Sequence, residues 1–179
     1  MPDRVLRSTL IACAGAAIMA GVFNASAAFA ANHQTSYPLS LRGIWVNDSN
    51  EGKAQCLAYK NADKTNRDEV SARLVGTVLI STAMMHDYSE YGEGNFYSLR
   101  KLEKTGRNSW RAGVAIGIDT SPERSQPVDE TLTIRLAANG RLIVASKPPP
   151  LNIKGSWQVS YTLRRCADIP KGMYGGGAE

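Results

Sequence analysis

Between Ser109 and Ile118 the chain alternates with a period of two: Trp110, Ala112, Val114, Ile116 and Ile118 fall on one side, Arg111, Gly113, Ala115 and Gly117 on the other. Only an extended backbone sends successive side chains to opposite faces, so this segment predicts a strand with one face buried. Trp157, Val159, Tyr161 and Leu163 repeat the pattern opposite Gln158, Ser160, Thr162 and Arg164, and Leu132, Ile134 and Leu136 do so opposite Thr131, Thr133 and Arg135. Asn139-Gly140 then supplies the positive φ angles of a tight hairpin into residues 141–145. Runs rich in β-branched and aromatic residues recur about every ten positions, at 43–46, 54–60, 76–82, 95–102, 109–118, 130–136, 141–145 and 156–165. Eight short runs separated by turn chemistry predict an all-β fold, an antiparallel up-and-down barrel of about eight strands.

The stretch between the second and third runs departs from this pattern. Val70, Leu74, Val75, Val78 and Leu79 have helical spacing, and Asn66 is placed to cap a helix ahead of Asp68 and Glu69. Gly76 and the β-branched residues after it stop any such helix, so 66–76 reads as one short helix or a loop feeding a strand. Pro148-Pro149-Pro150 cannot donate ladder hydrogen bonds and predicts a stiff extended connection before the last strand.

The first thirty residues do not read as part of the barrel. Arg4 and Arg7 precede an uncharged stretch from Ser8 to Ala30 that ends in two small-x-small sites, Ala25-Ser26-Ala27 and Ala28-Phe29-Ala30. That arrangement predicts a signal peptide over 1–30, cleaved after Ala27 or Ala30, and a periplasmic or secreted mature chain. Two alternatives stay open: Leu10-Ile11-Ala12-Cys13 resembles a lipoprotein acylation site, and a stretch this long can act as a retained anchor. The remainder of the 179-residue chain is one domain's worth, enough to bury roughly two thirds of its unfolded surface. We divide it into an N-terminal tether over 31–38, a barrel over 39–168 and a flexible C-terminal tail over 169–179 that includes Ile169-Pro170 and Gly175-Gly176-Gly177.

Cys13 leaves with the signal, and Cys56 and Cys166 remain. A lone pair in an exported chain predicts a disulfide. It would close a loop of more than a hundred residues, worth about 4 to 5 kcal/mol in the chain-entropy model. The net charge of +5 is modest and scattered. The densest basic run, Arg100-Lys101-Leu102-Glu103-Lys104, contains an acid, which reads as a solvated strand edge rather than a nucleic-acid site.

Residues 38–45, Pro38-Leu39-Ser40-Leu41-Arg42-Gly43-Ile44-Trp45, resemble the start of lipocalins and related calycin barrels, in which a short 3₁₀ segment leads into Gly-x-Trp on the first strand. The resemblance implies structural roles for Gly43, Trp45 and Arg165. Trp45 would close the barrel floor, and Arg165, which continues the inward parity of Tyr161 and Leu163, would stack across its indole. At the same positions the chain is similar to small exported bacterial protease inhibitors of barrel type. One barrel hosts many functions, so neither resemblance selects an activity.

The residues themselves favour binding over catalysis. Only His33 and His86 follow the signal, no Gly-x-Ser-x-Gly nucleophile signature occurs, and the two histidines lack metal-ligand spacing. No catalytic residue, metal or cofactor is expected. The segment 83–95 reads as an exposed loop whose Met84, Met85, His86, Tyr88 and Tyr91 form an adaptable contact surface beside glycines and acids. The leading reading is a non-catalytic binding protein for a small apolar ligand, held in a cup lined by Trp110 and Val114. The alternative is a periplasmic inhibitor or interaction module that meets an extracytoplasmic protein through the 31–38 tether or the 83–95 loop with Met85, His86, Tyr88 and Tyr91. A third reading, an envelope enzyme, is disfavoured by the histidine count. No stable membrane insertion is expected after signal removal.

Overall fold

A computed structural model describes residues 34–119, 128–146 and 160–174. The expected signal peptide, His33, the triple proline, Trp157 with Val159 and the glycine tail at 175–177 lie outside these residues. The strands are β1 Gly43–Asn47, β2 Thr77–Ile80, β3 Met84–Tyr88, β4 Gly94–Gly106, β5 Ser109–Ile118, β6 Val128–Leu136, β7 Arg141–Ser146 and β8 Ser160–Ala167. Each pairs antiparallel with its sequence neighbour, and β8 pairs with β1 to close the barrel. Two helices, α1 Asn50–Asn61 and α2 Arg67–Leu74, stand between β1 and β2.

The inward positions of the strands form one apolar core. Trp45, Val78, Ile80, Met85, Tyr97, Trp110, Ala112, Val114, Leu132, Ile134, Leu142, Val144 and Leu163 are all buried in it. The parity read for residues 110–116 and 132–136 holds, with Leu136 and Tyr161 partly buried against the same core, while Ile118 at the end of its strand is exposed. Ten residues of β5 align with β4 on one side and eight with β6 on the other.

A second apolar cluster lies on the outside of the barrel, where Ile44, Val46, Leu79, Tyr88 and Cys166 meet Tyr59 of α1 and Leu74 of α2. The outer side of β8 is covered only toward Cys166, whereas β1, β2 and β3 are covered on both faces, which removes the period-two signal from them. This explains why 84–88 escapes recognition as a strand. Met85 packs inward while His86 and Tyr88 are covered on the outer side, and the expected exposed loop over 83–95 is largely strand.

The run at 54–60, expected as a strand, lies within α1. Ser49 caps the helix by accepting a 3.1 Å hydrogen bond from the Gly52 amide. Gly52, Cys56 and Tyr59 follow at helical spacing, and this face meets the sheet. A Cβ at Gly52 would lie 2.0 Å from the Asn47 carbonyl oxygen, so glycine is what lets the helix start this close to β1. Cys56 forms the expected disulfide with Cys166 of β8, tying α1 to the barrel wall. The one short helix expected, within 66–76, is α2, with Asn66 Oδ1 accepting from the Glu69 amide as its cap.

Two segments expected to be loose are docked. Gln34 bridges Leu102 through backbone hydrogen bonds of 3.1 and 2.8 Å, and the Tyr37 amide donates to the Thr82 carbonyl at 2.7 Å. The Tyr37 ring is fully buried beside Leu41 at the foot of the core, so the described part of the tether is a plug. At the other terminus Ile169, Met173 and Tyr174 pack on the outer cluster. The hairpin between β6 and β7 forms where expected, but only Gly140 has a positive φ, 77°. The Gly140 amide closes the turn onto the Ala137 carbonyl, so Gly140 alone supplies the left-handed residue.

At the plugged end Trp45 donates its indole N–H to the Leu41 carbonyl at 2.8 Å and sits opposite Arg165 in register. The expected stack gives way to a different use of the guanidinium. Arg165 donates to the Arg42 carbonyl at 3.3 Å and ion-pairs Asp168, lying against the Cα of Gly43. A Cβ at Gly43 would meet the Ala167 carbonyl oxygen at 2.7 Å, and φ there is +135°. The Gly-x-Trp glycine is thus a steric requirement of the β1–β8 closure. Among the described residues the cation–π contact is Lys64 over Tyr59, 3.8 Å from the ring centroid.

Candidate functional site

The end of the barrel opposite the plug is formed by the last residues of β1, β3, β5 and β7 and the first of β2, β4, β6 and β8. The turn joining β3 to β4 is a single 3₁₀ turn, Glu90–Gly92, in which Tyr91 takes a left-handed conformation (φ 57°, ψ 15°). A non-glycine residue held there costs free energy that its surroundings must offset. They do so through three backbone bonds: Ser89 to the Glu93 carbonyl, Gly92 to the Ser89 carbonyl and Glu93 to the Glu90 carbonyl. Gly94 closes the turn with φ +113°, its Cα so near the Asp87 carbonyl that a Cβ would sit 1.9 Å from the oxygen.

His86 braces this turn from the outer cluster. Its Nε2 lies 2.9 Å from the Glu93 carbonyl and must carry the proton, because a carbonyl only accepts. Nδ1 is then the acceptor for the Tyr174 hydroxyl at 2.8 Å, and the ring stacks on Phe96 with centroids 3.8 Å apart. Burial lowers the imidazole's affinity for a second proton, opposed by the Glu93 hydrogen bond and by the Asp87 charge. Tyr88, packed under the turn, hydrogen-bonds Ser71 of α2 at 2.6 Å.

The result is a tyrosine presented on a rigid mount. Tyr91 is 92% exposed, and Ile118 at the end of β5 and Val128 at the start of β6 are 51% and 65% exposed. These positions belong to neighbouring strand ends: Asn95 pairs with Ile118, and Ile116 pairs with Val128. The Asp119 amide donates to the Gly94 carbonyl at 2.8 Å, fixing the β5 end against the Tyr91 turn.

Beneath this rim the barrel interior turns polar. Tyr161 donates to Asp87 Oδ2 at 2.7 Å. Burial drives the Tyr97 and Tyr161 phenols well above the ordinary tyrosine range, with Asp87 adding to both shifts. Burial also raises the Glu130 carboxyl, opposed by a hydrogen bond with Ser146. Tyr161, Asp87 and Tyr97 are thus joined to one another, as Glu130 is to Ser146. No three His, Cys, Asp or Glu side chains among the described residues come together to hold a metal ion.

The sequence-derived candidates therefore separate. Tyr91 is on the surface. Met85, Trp110 and Val114 belong to the inner core and Tyr88 to the outer one, while His86 is a buried brace. Sequence reasoning missed Ile118 and Val128 as rim residues and Asp87, Tyr97 and Tyr161 as an inward polar group. The parity of Met85 and Asp87 on one strand was the available signal for the latter. Compared with known proteins, no family model matches the chain, and neither does any curated protein or solved structure.

Proposed function

We propose that this chain is an exported, non-catalytic interaction module, a lipocalin-like barrel that meets an extracytoplasmic protein through the rim formed by Tyr91, Ile118 and Val128. The observation that carries the reading is Tyr91, an almost fully exposed aromatic residue held in a left-handed conformation by a closed set of hydrogen bonds. Tyrosine is enriched among the residues that dominate binding energy at interfaces, and a preorganised one loses little entropy on contact. Ile118 and Val128 are exposed aliphatic residues on the neighbouring strand ends of the same rim.

The compartment follows from the signal-like leader, cleaved after Ala27 or Ala30 into a periplasmic or secreted form, together with the Cys56–Cys166 disulfide, a bond that persists in oxidising surroundings. No helix among the described residues is long and apolar enough to cross a membrane. A small apolar ligand in the cup is the weaker reading, because Trp110 and Val114, expected to line it, are themselves packed core.

Photo-cross-linking tests the rim directly. With benzophenone-alanine replacing Tyr91, a covalent adduct to an envelope protein of the producing cell is expected, and none from the same probe at Leu57, which is 60% exposed on α1. Tyr91→Ala should release that protein while leaving the melting midpoint unchanged. Equal adducts at both positions, or undiminished capture by Tyr91→Ala, would refute the assignment.

A further inference from the structure

We infer that the outer face of β4–β7, near the plugged end and away from the rim, holds a second site that takes a small soluble ligand bearing a phosphate or sulfate ester. A groove of about 270 Å³ lies there, lined by Thr105, Ser109, Trp110, Arg111, Thr133, Ile134, Arg135 and Ile143. Ser109 pairs with Arg135 and Arg111 with Thr133. The two arginines are therefore diagonal neighbours on adjacent strands, roughly 7–8 Å apart at the backbone, a separation across which two long guanidinium groups can converge on one tetrahedral anion.

The charge on this face is not balanced by the protein. Arg111 reaches Glu103 at 3.5 Å with both side chains substantially exposed, a weak pairing in water. Arg135 is exposed and makes no ion pair among the described residues. Two like charges placed side by side on a sheet repel, and an anion between them converts that repulsion into charge-assisted, forked hydrogen bonds. Arg164 and Arg141 pair in register on the neighbouring strands, and Asp48 offsets only Arg141. The local field is thus positive although the chain as a whole carries only +5.

The rest of the groove defines the remainder of the ligand. Thr105, Ser109 and Thr133 present hydroxyls; that of Thr133 donates to the Ala145 carbonyl at 3.1 Å and keeps its lone pairs free to accept. The edges of Trp110, Ile134 and Ile143 supply apolar floor. The groove is small and open on its solvent side. That space suits one anionic group on a short hydroxylated body, not a polymer backbone.

Glycerol 3-phosphate is the probe, titrated into the disulfide-intact chain and followed by calorimetry and by the arginine Nε–H signals in NMR. Saturable binding is expected, with shifts confined to Arg111 and Arg135, weakening as salt is added. Arg135→Gln should reduce affinity by about tenfold or more, and Glu103→Gln should raise it by releasing Arg111. The melting midpoints of both variants should match the parent, and should Arg135→Gln fail to fold, Arg135→Lys keeps the charge while removing the fork and is expected to weaken binding. Absence of saturable binding, or equal affinity in the arginine variant, overturns the site. Equal affinity for inorganic phosphate and sulfate overturns the ester assignment.

Discussion

Replacing Tyr37 by Phe should stabilise this protein. Tyr37 is fully buried in the plug, and its hydroxyl is the buried side-chain polar atom without a hydrogen-bond partner among the described residues. Burial accordingly pushes the phenol far above the ordinary tyrosine range. A buried polar group left unsatisfied costs about 1–3 kcal/mol, whereas the ring packing against Leu41 and Trp45 survives the substitution. The gain expected is about 1–2 kcal/mol, which for a domain of this size raises the melting midpoint by about 3–6 °C. Calorimetry and urea unfolding of parent, Tyr37→Phe and Tyr37→Ala provide the measurement, with the Ala variant expected to lose about 3–5 kcal/mol through the cavity it leaves. The sign with pH follows from linkage. A phenol whose folded affinity for its proton is raised contributes stability that is whole below about pH 10 and is lost above it, because the unfolded chain releases the proton first. Tyr37→Phe should therefore show a shallower alkaline decline than the parent, though Tyr97, Tyr161 and Tyr174, all raised by burial, keep part of it. A Phe variant less stable than the parent by 1 kcal/mol or more would mean that the hydroxyl is satisfied by an internal water, and the reasoning would fail.

Two further outcomes are expected. Because burial lowers the affinity of His86 for a second proton, its contribution is intact above about pH 6.5 and declines as the pH falls and the unfolded chain takes up the proton; unfolding midpoints measured from pH 8 to pH 5 should drop, and a His86 NMR titration in the folded chain with its midpoint at or above about pH 6.5 would contradict this. Removing the disulfide with Cys56→Ala and Cys166→Ala should cost about 2–5 kcal/mol by urea titration, since α1 is tied to β8 through it, and a double variant as stable as the parent would show the link to be redundant.

What the amino-acid order by itself determined is the part of the barrel with one face in water. β5 was readable to the residue, and β6 and β7 nearly so, because the inward apolar positions keep a period of two against small or polar outer ones in β5 and β6 and the Gly140 turn fixes where β7 begins. Local chemistry was equally legible where it is complete within a few residues: the Asn66 cap, the glycine at position 140, the paired cysteines. Tertiary structure alone decided the remainder. The strand total of eight came out right through two compensating changes, with 54–60 becoming helix and 84–88 becoming strand. A helix-covered strand such as Met84–Tyr88 is covered on both faces and mixes apolar and polar side chains on each, Met85 with Asp87 inside and Tyr88 with His86 outside, so it carries no periodicity, while the α1 segment owes its state to a cap and to the sheet beneath it. The candidate sites were less legible still. Tyr91 looked no different from Tyr88 in the sequence, yet one side chain projects into solvent and the other is core. Arg111 and Arg135 lie on separate strands, and only the β5–β6 register makes them neighbours. Side chains from distant segments converge by pairing and packing, and neither quantity is written in local order.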